Sequence, residues 1–161
     1  FKLLAGMYFS VPGAFNIQGQ GECAIFRKFG HRGLFSVGGP IEANGRLCYI
    51  DNCTTTVLSP AARLGDPCLN LLVFPENVKQ TLHIHPSLRY GIVVAGRGLC
   101  VNPSTGELPL RPGMTFCLEE TYPHCFNSDK EGLVIVAYHP DSDMGPTDQQ
   151  NPMLNRTYTR F

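Results

Sequence analysis

The sequence predicts an all-β fold, and three features of its 161 residues support this prediction. Apolar residues rarely recur at the spacing of an amphipathic helix, and short β-favouring runs dominate instead. The 17 glycines and 13 prolines are spread along the chain, as turns between many short strands require. Turn residues recur about every ten residues, which is typical of an antiparallel barrel or sandwich.

Runs rich in β-branched and aromatic residues, each bounded by turn residues, are predicted as strands. In chain order they are residues 22–29, 46–50, 54–58, 69–74, 80–85, 90–96, 114–118 and 132–138. Residues 60–68 (PAARLGDPC) are predicted to form a loop with room for a short helix. Residues 102–106 (NPSTG) are predicted to form the turn of a hairpin.

We expect a single domain, because a chain of this length can bury a substantial core without disulfides or structural metals to stabilise it. Residues 1–40 are predicted as Gly-rich strands that lead into the barrel, and residues 45–139 as the barrel itself. Residues 140–161 are polar and are predicted to form a tail on the surface or at a subunit contact. Open sheet edges and this long tail are compatible with a homodimer. Since the chain begins with Phe, we expect that a start segment or a further domain precedes it.

The composition argues against two classes of partner. The formal net charge is zero and no Lys/Arg run stands out, so we expect no binding to nucleic acid or to anionic membranes. No apolar run approaches the roughly 18 residues that a membrane-spanning helix needs. The sequence therefore favours a small molecule as the binding partner.

Seven cysteines form an odd set without a CxxC pair. Several lie inside apolar runs such as RLCYI and MTFCL, where buried free thiols are the simplest interpretation. Free thiols are typical of a reducing compartment, and we therefore expect a cytoplasmic protein. The cysteines are Cys23, Cys48, Cys53, Cys68, Cys100, Cys117 and Cys125.

The run QTLHIH carries two histidines that can share a metal ion. Side chains alternate along a strand, so His83 and His85 are expected on one face, about 6.6 Å apart along the strand. A third histidine, His124, follows another predicted strand and a Tyr-Pro turn. Three imidazoles on rigid strands leave coordination positions open, which is the arrangement of a catalytic metal site. The alternative is that no metal is bound, with His83 and His85 on a solvent-exposed face of a strand and His124 in a loop.

Around these histidines the sequence resembles the cupin superfamily. The first cupin motif reads G-x5-H-x-H-x3,4-E-x6-G, and this chain supplies His83, His85 and Gly96 at that spacing. Arg89 stands where the motif has glutamate. The resemblance covers about residues 45–139 and implies a cupin barrel, also described as a double-stranded β-helix or jelly roll.

The second cupin motif, roughly G-x5-P-x-G-x2-H-x3-N, is matched at Gly113, His124 and Asn127, with one residue fewer before the asparagine. Glu119 and Thr121 replace the motif's proline and second glycine. The resemblance implies one divalent metal ion on the three histidines, with Fe(II) favoured. Zn, Ni and Mn are the alternatives, because imidazole ligands alone do not name the metal.

Arginine at the glutamate position changes what the site is expected to bind. If Arg89 shares the inner face with His83 and His85, its guanidinium can recognise a substrate carboxylate. A bulge that shifts the register would instead turn Arg89 outward. Tyr138 and His139 end the last apolar strand and are predicted to bind substrate at the cavity mouth, with Arg89 and Tyr138 as catalytic residues. Their alternative is a core-capping tyrosine and a loop histidine.

The resemblance implies a metal-dependent enzyme that acts on a small anionic metabolite. A three-histidine ligand set resembles that of the thiol and gentisate-type dioxygenases, so an Fe(II)-dependent dioxygenase is the leading hypothesis. A non-redox Zn-type isomerase, lyase or rearrangement enzyme, including the cupin modules of N–N bond-forming enzymes, is the second hypothesis. A cupin that only binds or senses a ligand is the third, because the fold does not choose among these roles. Asp141 and Asp143 are predicted as turn formers.

Overall fold

The computed structural model describes residues 1–159, and nearly all regular structure in that range is antiparallel β-strand. The all-β prediction is therefore confirmed. The strands are Tyr8–Ser10 (β1), Ser36–Gly38 (β2), Leu47–Cys48 (β3), Thr54–Ser59 (β4), Cys68–Phe74 (β5), Arg89–Asn102 (β6), Gly106–Leu110 (β7), Thr115–Leu118 (β8) and Cys125–His139 (β9). Two single-turn 3-10 helices span Ile50–Asn52 and Leu154–Arg156.

The main sheet contains seven strands in the order β3-β4-β5-β9-β6-β7, and β8 pairs with β6 as well. The two long strands, β6 and β9, pair along most of their length, with register shifts on both sides of Ala95 and Gly96. There the backbones approach so closely that a Cβ on Gly96 would collide with the carbonyl group of Gly132. Both glycines adopt φ near +70°, a conformation that other residues rarely adopt, and the long pair of strands is irregular at this point.

The apolar core lies on the inner face of this sheet. Along β9, Leu133 and Ile135 are buried whereas Val134 between them is half-buried and faces outward. Burial of each such side chain contributes about 1.5–3 kcal/mol to folding. The core cluster consists of Cys53, Phe74, Val93, Cys100, Leu110, Leu118, Phe126, Leu133, Ile135 and Ala137.

A pair of small residues shapes the inner face next to Arg89. Gly91 pairs with Phe116 on β8 and with Ala137 on β9. A Cβ on Gly91 would collide with the ring of Phe116, which lies 5.4 Å from the ring of Phe126 between centroids. Any side chain at this position would therefore displace the Phe116 ring, and glycine lets that ring cover the sheet.

The N-terminal residues 1–40, predicted as strands leading into the barrel, contribute only β1 and β2, which pair with each other. The predicted strand 22–29 does not form. Phe26 packs on the outer face of the sheet: its ring stacks on Tyr138 at 5.2 Å and lies 6.1 Å from Tyr90, whereas Ile25 and Phe29 are exposed. The segment is held without a backbone ladder, by the packing of Phe26 and by Lys28, whose Nζ donates to the carbonyl oxygen of Pro140 and pairs with Asp141.

Other predicted elements form in part. The run 46–50 is reduced to β3, and 80–85 forms one isolated bridge, at His83, without a regular strand. Residues 60–68 form a loop that has no helix in the described structure. The turn at 102–106 connects β6 to β7, as predicted. The described part of the predicted tail follows β9 as turns and one 3-10 helix, and residues 160–161 lie outside the described residues.

All seven cysteines are free. Burial raises the pKa of Cys53 and of Cys100 to about 11, so both are thiols at neutral pH. Among residues 1–159, no helix is both long enough and apolar enough to cross a membrane.

Candidate metal centre

The site is built on a backbone pairing between two of its histidines. His83 and His124 are antiparallel partners, and each amide N–H donates to the other's carbonyl oxygen, at 3.0 and 2.9 Å. Side chains of directly opposed residues lie on the same face of a sheet. The two imidazole rings accordingly lie 4.7 Å apart between centroids.

His85 joins them through strand alternation. Leu82 and Ile84 are exposed, whereas His83 and His85 turn to the other side. The ring of His85 lies 4.9 Å from that of His83 and 5.2 Å from that of His124. The structure therefore brings the three predicted histidines together.

Hydrogen bonds to the backbone orient two of the rings. Nδ1 of His83 lies 2.8 Å from the carbonyl oxygen of Thr81, and Nδ1 of His124 lies 2.8 Å from that of Tyr122. A carbonyl oxygen only accepts, so each Nδ1 carries the proton and each Nε2 is left with a lone pair. Histidines that bind a metal commonly donate their other ring N–H to a carbonyl oxygen in this way, which fixes the orientation of the ring.

An unpartnered nitrogen tests whether the residues fit a metal ion. His124 is 1% exposed, and its Nε2 is buried without a hydrogen-bond partner. The nearest ligand atoms of the three histidines all lie within 4.8 Å of one another. This is close to the about 4.2 Å between opposite nitrogen ligands of one ion. The residues present therefore fit a divalent metal ion.

Electrostatics keep the rings in the form that binds metal. Burial, and next the nearby charge of Arg89, lower the pKa of His85 to about 4. Burial also lowers the pKa of His124, against the opposing effect of its hydrogen bond to Tyr122. Metal ions bind neutral imidazole, so protons do not compete strongly for these two ligands at neutral pH.

Two unusual backbone conformations flank the histidines. Asn77, six residues before His83, has φ of 58°, and Thr121, three residues before His124, has φ of 56°. Both stand where the cupin motifs have glycine. The amide N–H of Thr121 donates to the carbonyl oxygen of His85 at 2.8 Å, which ties the two ligand-bearing segments together. A β-branched residue is rare in this conformation, so Thr121 marks local strain beside the site.

Arg89 points inward and is already paired. Its side chain is 7% exposed. One guanidinium nitrogen, Nη1, donates to the carbonyl oxygen of Ser87 at 2.9 Å and also to the Ser87 hydroxyl. The other, Nη2, lies 3.2 Å from a carboxylate oxygen of Asp143. The outward-facing alternative for Arg89 is wrong, and Asp143 is an ion-pair partner as well as a turn residue.

His139 lies on the inner face near Arg89. It is directly opposite Cys68 on β5, and its ring nitrogens lie 3.3 and 3.4 Å from the side-chain nitrogen of Asn70. Burial, and next the charge of Arg89, lower the pKa of His139 to about 3. His139 is therefore a neutral imidazole close to His85 and Arg89.

The structure does not bring Tyr138 to the histidines. Neighbouring strand residues face opposite sides, so Tyr138 faces outward while His139 faces inward. Its ring stacks on Phe26 with an interplanar angle of 6°, on the outer surface of the sheet. The structure therefore does not place Tyr138 beside the histidines, where the catalytic and substrate-binding role was predicted.

Sequence reasoning missed two residues around the site. Asp143 is 54 positions from Arg89 and lies in the tail, where no pattern connects the two. Asn70 lies inside an apolar strand as its one amide, and it is buried. A lone buried amide in such a run is a signal that could have been used, because buried polar groups need a partner.

Comparison with solved structures decides the fold. A cupin-like protein from Thermotoga maritima superposes with a TM-score of 0.55 at 17% identity, over 68% of this chain and 92% of that one. The polyketide cyclase RemF from Streptomyces resistomycificus gives a TM-score of 0.52 at 19% identity, over 63% and 72%. The chain has the cupin fold. The predicted cupin barrel is therefore confirmed.

The DMSP lyase DddQ from Ruegeria pomeroyi gives a TM-score of 0.52 at 14% identity. The match covers 59% of this chain and 49% of the lyase, so the chain spans about half the length of that enzyme. No protein-family model matches the sequence, and no curated protein matches it. At these identities the similarity establishes the fold and leaves activity to be argued from the site.

Proposed function

We propose that this cupin is an enzyme that binds one divalent metal ion on His83, His85 and His124 and acts on a small carboxylate-bearing metabolite. The observation that carries the proposal is the buried, unpartnered Nε2 of His124, which lies beside two further imidazoles. A buried polar atom without a partner is costly, and a metal ion is the ligand that three imidazoles suit.

A divalent ion bound there would supply Lewis-acid polarisation of a substrate oxygen. The chain's own residues add charge and a base. Arg89 provides a permanent positive charge close to His85, which favours an anionic substrate. His139 provides a neutral imidazole that the Asn70 side chain orients. Its pKa of about 3 makes it a weak base in the ligand-free protein, and the negative charge of a bound substrate would raise that pKa so that the ring can accept a proton.

These roles favour non-redox chemistry: isomerisation or elimination begun by removal of a proton near the carboxylate. A neutral imidazole beside the three histidines supports this reaction class, because proton abstraction needs a base and a metal ion that act on the same substrate. Two solved cupins with similar folds are described as a lyase and a cyclase, which agrees with the proposal at the level of fold.

An Fe(II)-dependent dioxygenase is the second candidate. The candidate metal site contains three imidazoles and no carboxylate. The sequence resemblance links this ligand set to iron dioxygenases. Such a set leaves the ion its full charge and leaves open positions for substrate and oxygen. Dependence on oxygen separates this candidate from the first.

The test begins with protein purified without an affinity metal, stripped with a chelator and reloaded with Fe(II), Zn, Ni or Mn. A panel of small carboxylic, hydroxy and keto acids is incubated with each form, with and without oxygen. Anaerobic turnover supports the non-redox reaction, and oxygen uptake supports the dioxygenase. Metal binding without any turnover supports a ligand-binding cupin, and failure to bind a metal would overturn the proposal.

Two further proposals concern the surroundings of the protein. We propose a cytoplasmic location, supported by seven free cysteines. We also propose a homodimer, supported by the exposed apolar side chains of Leu82 and Ile84 on an edge segment. Mass measurement in solution tests the second proposal.

A further inference from the structure

The partner of Arg89 is delivered by the segment that follows the barrel. Asp143 places its two carboxylate oxygens 3.2 and 3.5 Å from Nη2 of Arg89. The two side chains differ in their surroundings, because the arginine is 7% exposed and the aspartate is 41% exposed. The ion pair therefore consists of a buried guanidinium and a solvent-exposed carboxylate.

The backbone on either side of Asp143 is held firmly. Ser142 is 3% exposed; its N–H donates to the carbonyl oxygen of Asp66, and its carbonyl oxygen accepts from Gly65. The N–H of Leu64 donates to the carbonyl oxygen of Pro146 at 3.0 Å. The segment can thus keep its place while the Asp143 side chain alone changes its rotamer.

The energetics of the pair are unequal. A guanidinium does not lose its proton, so Arg89 needs a negative partner for as long as it stays buried. Asp143 can be hydrated where it stands, because its carboxylate already meets solvent. Nη1 of Arg89 is bound to Ser87, which leaves the Nη2 side for any anion that enters. Asp143 and an incoming carboxylate therefore compete for one position.

We propose that Asp143 is an internal competitor of the substrate: it occupies Arg89 until a substrate carboxylate displaces it toward solvent. The site then selects anionic ligands, because a neutral ligand cannot replace the lost ion pair. This inference rests on the proposed function only for the class of the substrate, a small carboxylate.

Acetate binding to metal-free protein, followed by NMR of the arginine side chains, tests the proposal. Asp143→Asn removes the competing charge and keeps the size of the side chain. We expect it to tighten acetate binding about tenfold or more, since a like charge beside the binding position is removed. Acetate binding should be lost when Arg89→Met is added to Asp143→Asn.

Asp148→Asn is the matched control. Asp148 lies in the same tail, pairs with Arg63 at 3.3 Å on the surface, and its removal changes the net charge equally. Its effect on acetate affinity should stay within about twofold, as for a screened surface charge. Equal affinities in wild type and Asp143→Asn, or an equal gain in Asp148→Asn, would overturn the proposal.

A measurement on the wild-type protein covers the case in which Asp143→Asn does not fold. On saturation with acetate, the side-chain carboxyl 13C signal of Asp143 should move toward that of the exposed Asp148. An Asp143 signal that stays in place while the Arg89 signals shift would show that no exchange occurs. Because the protein is metal-free, these outcomes are independent of whether the histidines bind a metal.

Discussion

The site contains two clusters that differ in how completely their polar atoms are satisfied. In the histidine cluster (His83, His85 and His124), local hydrogen bonds fix the rings and yet leave the Nε2 of His124 unpartnered. In the arginine cluster (Arg89, Asp143 and His139), the guanidinium is bound on both of its terminal nitrogens.

The difference indicates that the histidine cluster can bind a ligand directly, whereas the arginine cluster must first release the Asp143 carboxylate. A buried nitrogen with an unpartnered lone pair is stabilised by any cation that reaches it, so the histidine cluster is ready to bind a metal ion. A buried cation with a partner gains nothing until that partner is replaced by another anion. The chain thus combines a metal position without a competing partner and an anion position at Arg89 that Asp143 already occupies.

The largest expected effect contrasts a histidine from each cluster. His124→Ala should weaken the binding of Zn or Fe(II) by more than about 100-fold, because loss of an outer-shell partner alone costs about 10- to 100-fold. His139→Ala, the matched control, should leave metal affinity nearly unchanged. Calorimetric titration of stripped protein measures both, and an equal loss in the two variants would break the distinction between the clusters.

A substitution beside the arginine cluster tests how tightly the inner face is packed. Gly91→Ala should lower the free energy of unfolding by about 1–3 kcal/mol, because its Cβ collides with the ring of Phe116. Gly13→Ala is the control, since a Cβ there meets no atom within 4 Å. Denaturant unfolding compares the two, and a neutral Gly91→Ala would show that the Phe116 ring moves freely.

The strain beside the histidine cluster predicts a smaller effect of opposite sign. Thr121→Gly should raise the free energy of unfolding by up to about 1 kcal/mol, because glycine adopts a φ of 56° without a side-chain clash. The same change at Thr157, where φ is −100°, should lower it. A destabilised Thr121→Gly would mean that contacts of the threonine side chain outweigh the backbone strain.

The smallest effect links the two clusters electrostatically. Arg89→Met should raise the pKa of His139 from about 3, yet leave it below the ordinary value because burial is the larger cause. Arg97→Met, on the exposed surface, should leave it unchanged. An NMR titration of the histidine ring signals measures the shift, and no change in Arg89→Met would separate His139 from the arginine.

Local patterns predicted the histidine cluster, and long-range contacts explain what they missed. His83 and His85 follow a two-residue alternation within one segment, and Arg89 continues that inner face, so short-range sequence was sufficient. Tyr138 was expected at the cavity, whereas its ring faces outward, because a single step along a strand reverses the face. The segment 22–29 has the composition of a strand, but it forms no ladder, and Phe26 packs on the outer face of the sheet.

The position of Asp143 could not be predicted from the sequence, for a different reason. Its carboxylate reaches Arg89 only because backbone hydrogen bonds fix the segment after β9 against the loop at 64–66. No periodicity connects residues that are 54 positions apart. The fold was therefore predictable from turn spacing and motifs, whereas the partner of the buried charge depended on tertiary structure.

X-ray absorption spectroscopy of the metal-loaded protein tests the central claim most directly. We predict three imidazole nitrogens at about 2.1 Å from the ion, and loss of this signal in His124→Ala. The chain also has seven free cysteines that could compete for a soft metal. Sulfur neighbours at about 2.3 Å, or an imidazole signal unchanged in His124→Ala, would contradict a metal centre on His83, His85 and His124.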